Sequence, residues 1–324
     1  KKGKKVGWLK FKSHVDSVPL VQLGTEKHSG TYYLDKENSR VRIQGMKQWL
    51  RVRGLEQIKD GVDIANAVLV RKCDDFFVNI TTFENKTESV VPEVSIGIDF
   101  GCITQLSFSN GVKVEFQVPV SDRLKGMDRK IDKKVNDKIG KNRPSKNRRK
   151  LQFKRRKEYE RITAKKKDIR NKVVSCITKN YKYVCFQDES VHAWSMGNHG
   201  KKIQNSGIGG IISDLKHKSN TPVMIDKFYP STQLCPQCGK KNKLEQRDRV
   251  YGCSCGYTND RDIKSAIMIE REGIKTLAVP MDYRDIKPEE ILSSAFFNQL
   301  TNINGIKVSK MRSVSQEATG LAPS

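Results

Sequence analysis

The chain has 324 residues and 36% hydrophobic content, enough for two domains with a real core. Its 62 lysines and arginines outnumber 36 aspartates and glutamates, and the formal net charge of +26 points to a polyanionic partner, nucleic acid above all. No apolar run reaches the length that spans a bilayer and no signal peptide is visible, so a membrane partner is set aside and a reducing, cytoplasmic compartment is expected.

The first residue is lysine rather than methionine, and a longer N-terminus is expected. Residues 1–93 read as β-rich. GWLKFK at 7–12 alternates, and AVLVRKC (67–73) and FFVNITTF (76–83) predict a hairpin around the acidic turn at Asp74 and Asp75. MKQWLRVRGLEQI (46–58) fits a strand pair or a short helix. A small barrel with a basic outer face suits this segment. VSIGIDFG (94–101) is an apolar strand ending in Asp99 and Gly101, and two further strands, 103–111 and 112–118, turn at Asn110-Gly111. Residues 121–170 hold 22 Lys and Arg against 7 Asp and Glu. That density predicts two basic helices, hinged near GKNRPSKN, facing a phosphate backbone. The candidate contacts are Lys146, Arg148, Arg149, Lys150, Lys154, Arg155, Arg156 and Lys157.

KYVCFQDESVHAW (182–194) predicts a strand ending in Asp188 and Glu189, SGIGGIISDLK (206–216) a helix, and TPVMIDKFYP (221–230) another strand. Asp262 is expected to open a helix over 263–273, with Gly273 as its stop. The polar residues from 275 onward predict a loosely ordered tail. Cys73, Cys102, Cys176 and Cys185 are scattered and read as buried thiols.

The other four cysteines, Cys235, Cys238, Cys253 and Cys255, fall as CPQCG and, fourteen residues later, CSCG. Two tight turns of this kind supply the four soft ligands of tetrahedral zinc, although the second knuckle is one residue short of C-x-x-C. Three separate segments also deliver carboxylates: Asp99, then Asp188 or Glu189, then Asp260 or Asp262. A strand–hairpin–helices–strand–helix order is that of a ribonuclease-H-like fold. There such acids meet at one sheet edge and hold two Mg²⁺ or Mn²⁺ ions for phosphodiester hydrolysis.

SIGIDFG, PSKNRRK, CFQDESVHAW, DKFYPSTQLCPQCG, CGYTNDRD and the SAIMI helix resemble, in content and order, the RuvC nuclease region of TnpB proteins and the miniature type V CRISPR effectors. The resemblance covers roughly residues 65–270. It implies Asp99, Glu189 and Asp262 as the catalytic acids and magnesium ligands, with Asp188 as the fallback for the second. Cys235, Cys238, Cys253 and Cys255 become the ligands of the family's zinc ribbon. Lys264 and Ser265 stand where relatives carry Asn-Ala, and some relatives place the second acid at Gln187, which would leave the nuclease dead.

The expected architecture is α/β and β. A wedge domain, an oligonucleotide-binding-like β-barrel, spans 1–93, and the family's helical recognition domain is not visible. A RuvC domain spans 94–230, including basic helices within 121–180. The inserted zinc ribbon spans 231–258, a last RuvC segment 259–274 and the tail 275–324. The resemblance implies an RNA-guided DNA endonuclease, prokaryotic and nucleoid-associated when acting, monomer or homodimer, with guide RNA and target DNA as partners. The competing readings are a nuclease-silent guided repressor and a plain zinc-ribbon RNA-binding protein, which predicts acids that do not cluster.

Overall fold

The computed structural model describes residues 15–21, 30–85, 90–133, 145–197, 200–245, 247–277 and 290–311. The chain forms two units, 1–89 and 90–324. GWLKFK at 7–12 and most of the expected hinge at 140–147 lie outside the described residues.

The first unit holds β1 (Ser17–Leu20), β2 (Tyr32–Asp35), β3 (Arg40–Ile43), β4 (Leu50–Arg51), β5 (Asp63–Lys72) and β6 (Asp75–Phe83). Among the described residues these form two three-stranded antiparallel sheets, β1-β5-β6 and β2-β3-β4, rather than one closed barrel. Leu20, Tyr32, Ile43 and Ala67 make a core common to both. A bulge between Ile64 and Ala67 frees the Ala65 carbonyl from the ladder, and the Tyr32 hydroxyl donates to it at 2.5 Å. The β5–β6 hairpin forms as expected, but Lys72 pairs with Asp75, so the turn is Cys73-Asp74, one residue earlier than the acidic pair. The ambiguous 46–58 segment contains both β4 and a 3₁₀ turn, Leu55–Gln57.

The second unit is built on one mixed sheet. In chain order come β7 (Ser95–Phe100), β8 (Leu106–Phe108), β9 (Val112–Glu115), α1 (Asp122–Lys133), α2 (Lys146–Asn180) and β10 (Tyr183–Gln187). Then follow α3 (Val191–Met196), α4 (Gly200–Ser206), α5 (Ile208–Lys218), β11 (Thr221–Ile225), β12 (Val250–Gly252), β13 (Thr258–Asp260), α6 (Arg261–Thr276), α7 (Glu290–Thr301) and β14 (Lys307–Lys310). The sheet order is β11-β10-β7-β8-β9-β14, with β7, β10 and β11 parallel and the rest antiparallel. The parallel strands are short apolar runs because helices cover them; Ser95 to Ile98 and all of β10 are buried.

Helix α6 lies across β7, β10 and β11. Two glycines set its distance. A Cβ on Gly97 would meet the Ala266 carbonyl oxygen at 2.1 Å, and one on Gly273 would meet Cys185 Sγ at 2.6 Å. Gly273 therefore does not stop the helix, as the sequence suggested; it sits inside α6 where the helix touches β10.

The expected loose tail is also corrected. Helix α7 buries Phe296 and Leu300, and Phe296 packs edge-on against Phe108 and Tyr181 with centroids 5.2 and 5.1 Å away. Strand β14 pairs with β9, so this unit is completed by residues as late as Lys310. None of the described helices is long and apolar enough to cross a membrane.

Candidate active site and cysteine cluster

Strands β7 and β10 run side by side, with Ile98 opposite Phe186, so their carboxyl ends open at the same sheet edge. Crevices at such ends are where open α/β sheets bind ligands. Asp99 is the penultimate residue of β7, Glu189 follows β10 by two residues, and Asp262 is in the first turn of α6.

Asp99 feels the charges of the other two acids. Asp99 retains some solvent exposure but is ringed by protein. That desolvation first, then the charges of Asp262 and Glu189, push its carboxyl up to about 8, against a hydrogen bond from Ser265. Glu189 is also raised, by burial and by the neighbouring Asp188. Carboxylates are the oxygen donors that a hard divalent cation takes; among the described residues, the group whose ligand atoms come together closely enough to hold an ion is the four cysteines.

Gln187, Asp188 and Glu189 have distinct surroundings. Gln187 is buried, donates its amide to the carbonyls of Asp226 and Tyr229 at 3.3 and 2.9 Å, and accepts from the Ser231 hydroxyl at 3.0 Å. Its polar atoms are committed to the loop after β11. Asp188 turns to α5 and pairs with Lys216 at 2.6 Å. Glu189 is the member of the three whose charge reaches Asp99.

Asp260, not Asp262, caps α6: its carboxylate accepts from the amides of Asp262 and Ile263 at 3.0 and 3.1 Å. This leaves the Asp262 side chain available to the site. Lys113 on β9, only 8% exposed at its side chain, lies 2.7 Å from Asp260 and 3.5 Å from Asp262. Arg261 approaches Asp262 at 3.6 Å.

The cysteine cluster forms beside this edge. The four sulfurs lie within 4.8 Å of one another, with Cys235–Cys255 at 3.6 Å and Cys238–Cys253 at 3.5 Å. A zinc tetrahedron with ~2.3 Å bonds has sulfur–sulfur edges of about 3.8 Å, so the thiols fit zinc. The short second knuckle closes because Gly256, at φ 88°, lets its amide return to the Cys253 carbonyl at 3.0 Å. The amide of Cys255 holds the Cys253 thiol down at about 6. Burial opposes the same effect at Cys235, but the amides of Cys238 and Gln237 keep that thiol below its ordinary value.

Lys264 and Ser265, the two departures in the α6 motif, both have partners. Lys264 is fully buried, donates to the carbonyls of Ser231 and Leu234 at 2.8 and 3.0 Å, and sits 4.1 Å over the Tyr251 ring. Burial holds its ammonium down at about 8 against the pull of Cys235 and Asp99. The Ser265 hydroxyl is 2.9 Å from Ser231 Oγ and 3.3 Å from Asp99 Oδ1. A polar chain therefore runs Gln187–Ser231–Ser265–Asp99. Sequence reasoning missed Lys113 and this chain because each member meets its partner across 34 to 166 positions, a separation that no local pattern reports.

The expected nucleic-acid contacts all lie in the first third of α2, a helix of 35 residues and about 52 Å. Its buried residues begin only at Ile169. Lys146, Arg149, Lys150, Lys154, Arg156 and Lys157 are exposed; Arg148 and Arg155 are half-buried, and Arg155 pairs with Asp128 of α1 at 2.8 Å. Lys130 and Lys133 of α1, not singled out in the sequence, join Lys150 and Lys154 around a cleft between the two helices.

Known proteins match the same region. The family described as Cas12f1-like, TNB domain matches residues 213–269, which contain the cysteine cluster and Asp262. A proposed RNA-guided DNA endonuclease of Streptomyces pristinaespiralis is 24% identical over 249 residues, 74% of this chain and 61% of that one. The proposed RNA-guided DNA endonuclease InsQ of Escherichia coli K12 is 26% identical over 276 residues, 76% of this chain and 65% of that one. The chain thus spans less than two thirds of the length of either relative. The protein of a Cas12f1–guide RNA–target DNA complex aligns over 64% of this chain and 46% of its own, with 14% identity and a TM-score of 0.40. Three TnpB-like proteins of Acanthamoeba polyphaga mimivirus are 28% identical over 200 residues, and the sequence matches support the resemblance carried by the motifs: the chain is similar to TnpB proteins and to the Cas12f1-like family.

Proposed function

We propose that the protein is an RNA-guided DNA endonuclease whose RuvC site, on a ribonuclease-H-like sheet, hydrolyses target DNA. The observation that supports this reading is that Asp99, near the end of β7, is raised by its burial and by the charges of Asp262 and Glu189. The names of the two bacterial relatives agree with it.

Asp99, Glu189 and Asp262 would hold two Mg²⁺ or Mn²⁺ ions, which supply an activated water and stabilise the leaving oxygen. Ser265 orients Asp99, while Asp260 and Lys113 fix the start of α6 and hence Asp262. Lys216 draws Asp188 away, leaving Glu189 to the site. Cys235, Cys238, Cys253 and Cys255 would hold zinc in a ribbon that stabilises the loops next to Ser231. The exposed cations of α2 would grip phosphates of guide RNA and DNA without reading sequence, which base pairing supplies.

The test is plasmid cleavage by the protein purified with its own RNA and supplied with Mg²⁺. Guide-dependent cleavage that disappears in Asp99→Ala and Glu189→Ala supports the reading. Guide-dependent binding without cleavage by the parent replaces it with a silent repressor. Absence of any guide-dependent binding overturns both.

A further inference from the structure

Helix α6 sends two cations to the first cysteine knuckle. Lys264 donates to the carbonyl of Leu234, immediately before Cys235. Arg271, seven residues and two turns later on the same helix face, donates to the carbonyl of Pro236, immediately after Cys235. Cys235 is the buried member of the cluster, at 1% exposure.

Complete burial of a lysine is costly unless an opposite charge stands near. The immediate partners of Lys264 are neutral: two carbonyls and the Tyr251 ring. The acidic groups that act on it are Cys235 and Asp99. The acidic edge and burial keep the proton on Asp99 without metal. Four thiolates around one Zn²⁺, by contrast, leave the cluster two units negative, and Lys264 and Arg271 together bring two units of positive charge. An asparagine at position 264 is too short to reach both carbonyls and carries no charge.

We propose that Lys264 and Arg271 are positioning residues that neutralise the zinc-loaded cysteine cluster, raise its zinc affinity, and dock the knuckle onto the helix that carries Asp262. The proposal rests on the zinc reading above and adds a role for cations outside the ligand set.

The experiment is competition for zinc between the full chain and a colorimetric chelator, with metal content measured first. Lys264→Gln and Arg271→Gln retain hydrogen-bond donors but lack the charge. Each is expected to release zinc about tenfold more readily than the parent, and Lys264→Arg within about threefold of it. The Co²⁺-loaded Gln variants should keep a tetrahedral thiolate spectrum, because the ligands are untouched. Parental affinity in both Gln variants overturns the proposal, since hydrogen bonding alone then suffices. Should Lys264→Gln not fold, Arg271→Gln, at a half-buried position, decides the matter by itself. A parent that contains and binds no zinc overturns the zinc reading and the proposal together.

Discussion

The ammonium of Lys113 stands 2.7 Å from the Asp260 carboxylate and 3.5 Å from that of Asp262, linking the antiparallel half of the sheet to the helix cap of the acidic site. Lys113 and Asp260 have side chains only 8% and 15% exposed. Removing one partner of such a buried pair strands the other, at a cost of about 3 kcal/mol. Lys113→Met should therefore lower the urea midpoint in EDTA. Excess Mg²⁺ should recover much of the loss, because a dication at Asp262 replaces the missing charge. An unchanged midpoint in EDTA would show that the pair contributes nothing.

Asp99 makes the metal-free fold sensitive to pH. Its carboxyl is pushed from 3.8 up to about 8, so the folded state holds the proton more tightly than the unfolded chain. The associated stability is present below the unfolded value and is lost as pH rises through about 8. Unfolding of the metal-free protein between pH 5 and pH 9, on either side of that value, should show this decline, and Asp99→Asn should flatten it. Mg²⁺ favours the ionised acid and should suppress the same decline.

Gly97 and Gly273 test how closely α6 must approach the sheet. In Gly97→Ala the new methyl meets backbone at 2.1 Å, which cannot yield without moving the helix. No folded protein is expected. In Gly273→Ala it meets Cys185 Sγ at 2.6 Å, which can rotate away, and Cys185 Cβ at 2.8 Å, which moves only with strand β10. The expected cost is about 2 kcal/mol, read as a lower urea midpoint at unchanged slope. A Cys185→Ala background should reduce it.

The first third of α2 makes a prediction about salt. Replacing Arg149, Lys150, Lys154 and Lys157 by Gln removes four exposed cations. Where all four meet phosphates, the slope of log affinity against log salt falls by about 3, and affinity falls with similar force for matched and unmatched DNA. Loss confined to matched DNA would contradict a backbone role.

Much of this arrangement was legible in the sequence. Alternation and an Asn-Gly turn identify the β8–β9 hairpin, and an apolar run ending in an acid identifies β7 and β10. Cysteine spacing gathers four thiols that the fold does bring within 4.8 Å. What stayed hidden depends on contacts between distant segments. Gly273 looks like a helix stop until Cys185 is placed against it. Helix α7 follows a polar stretch and shows its purpose only when Phe296 meets Phe108 and Tyr181. The competition among Gln187, Asp188 and Glu189 turns on the Tyr229 carbonyl and Lys216, neither of which is near in sequence.

The central claim is that Asp99, Glu189 and Asp262 cut DNA together. Its most direct measurement is the single-turnover rate of target-strand cleavage, with guide RNA and Mg²⁺, for the parent, Asp188→Asn and Glu189→Gln. The account predicts that Asp188→Asn stays within about threefold of the parent, while Glu189→Gln falls by at least about a thousandfold, the several kcal/mol of charge stabilisation that a metal ligand secures. Full activity in Glu189→Gln, with loss in Asp188→Asn, would contradict the assignment of the second acid and the geometry built on it.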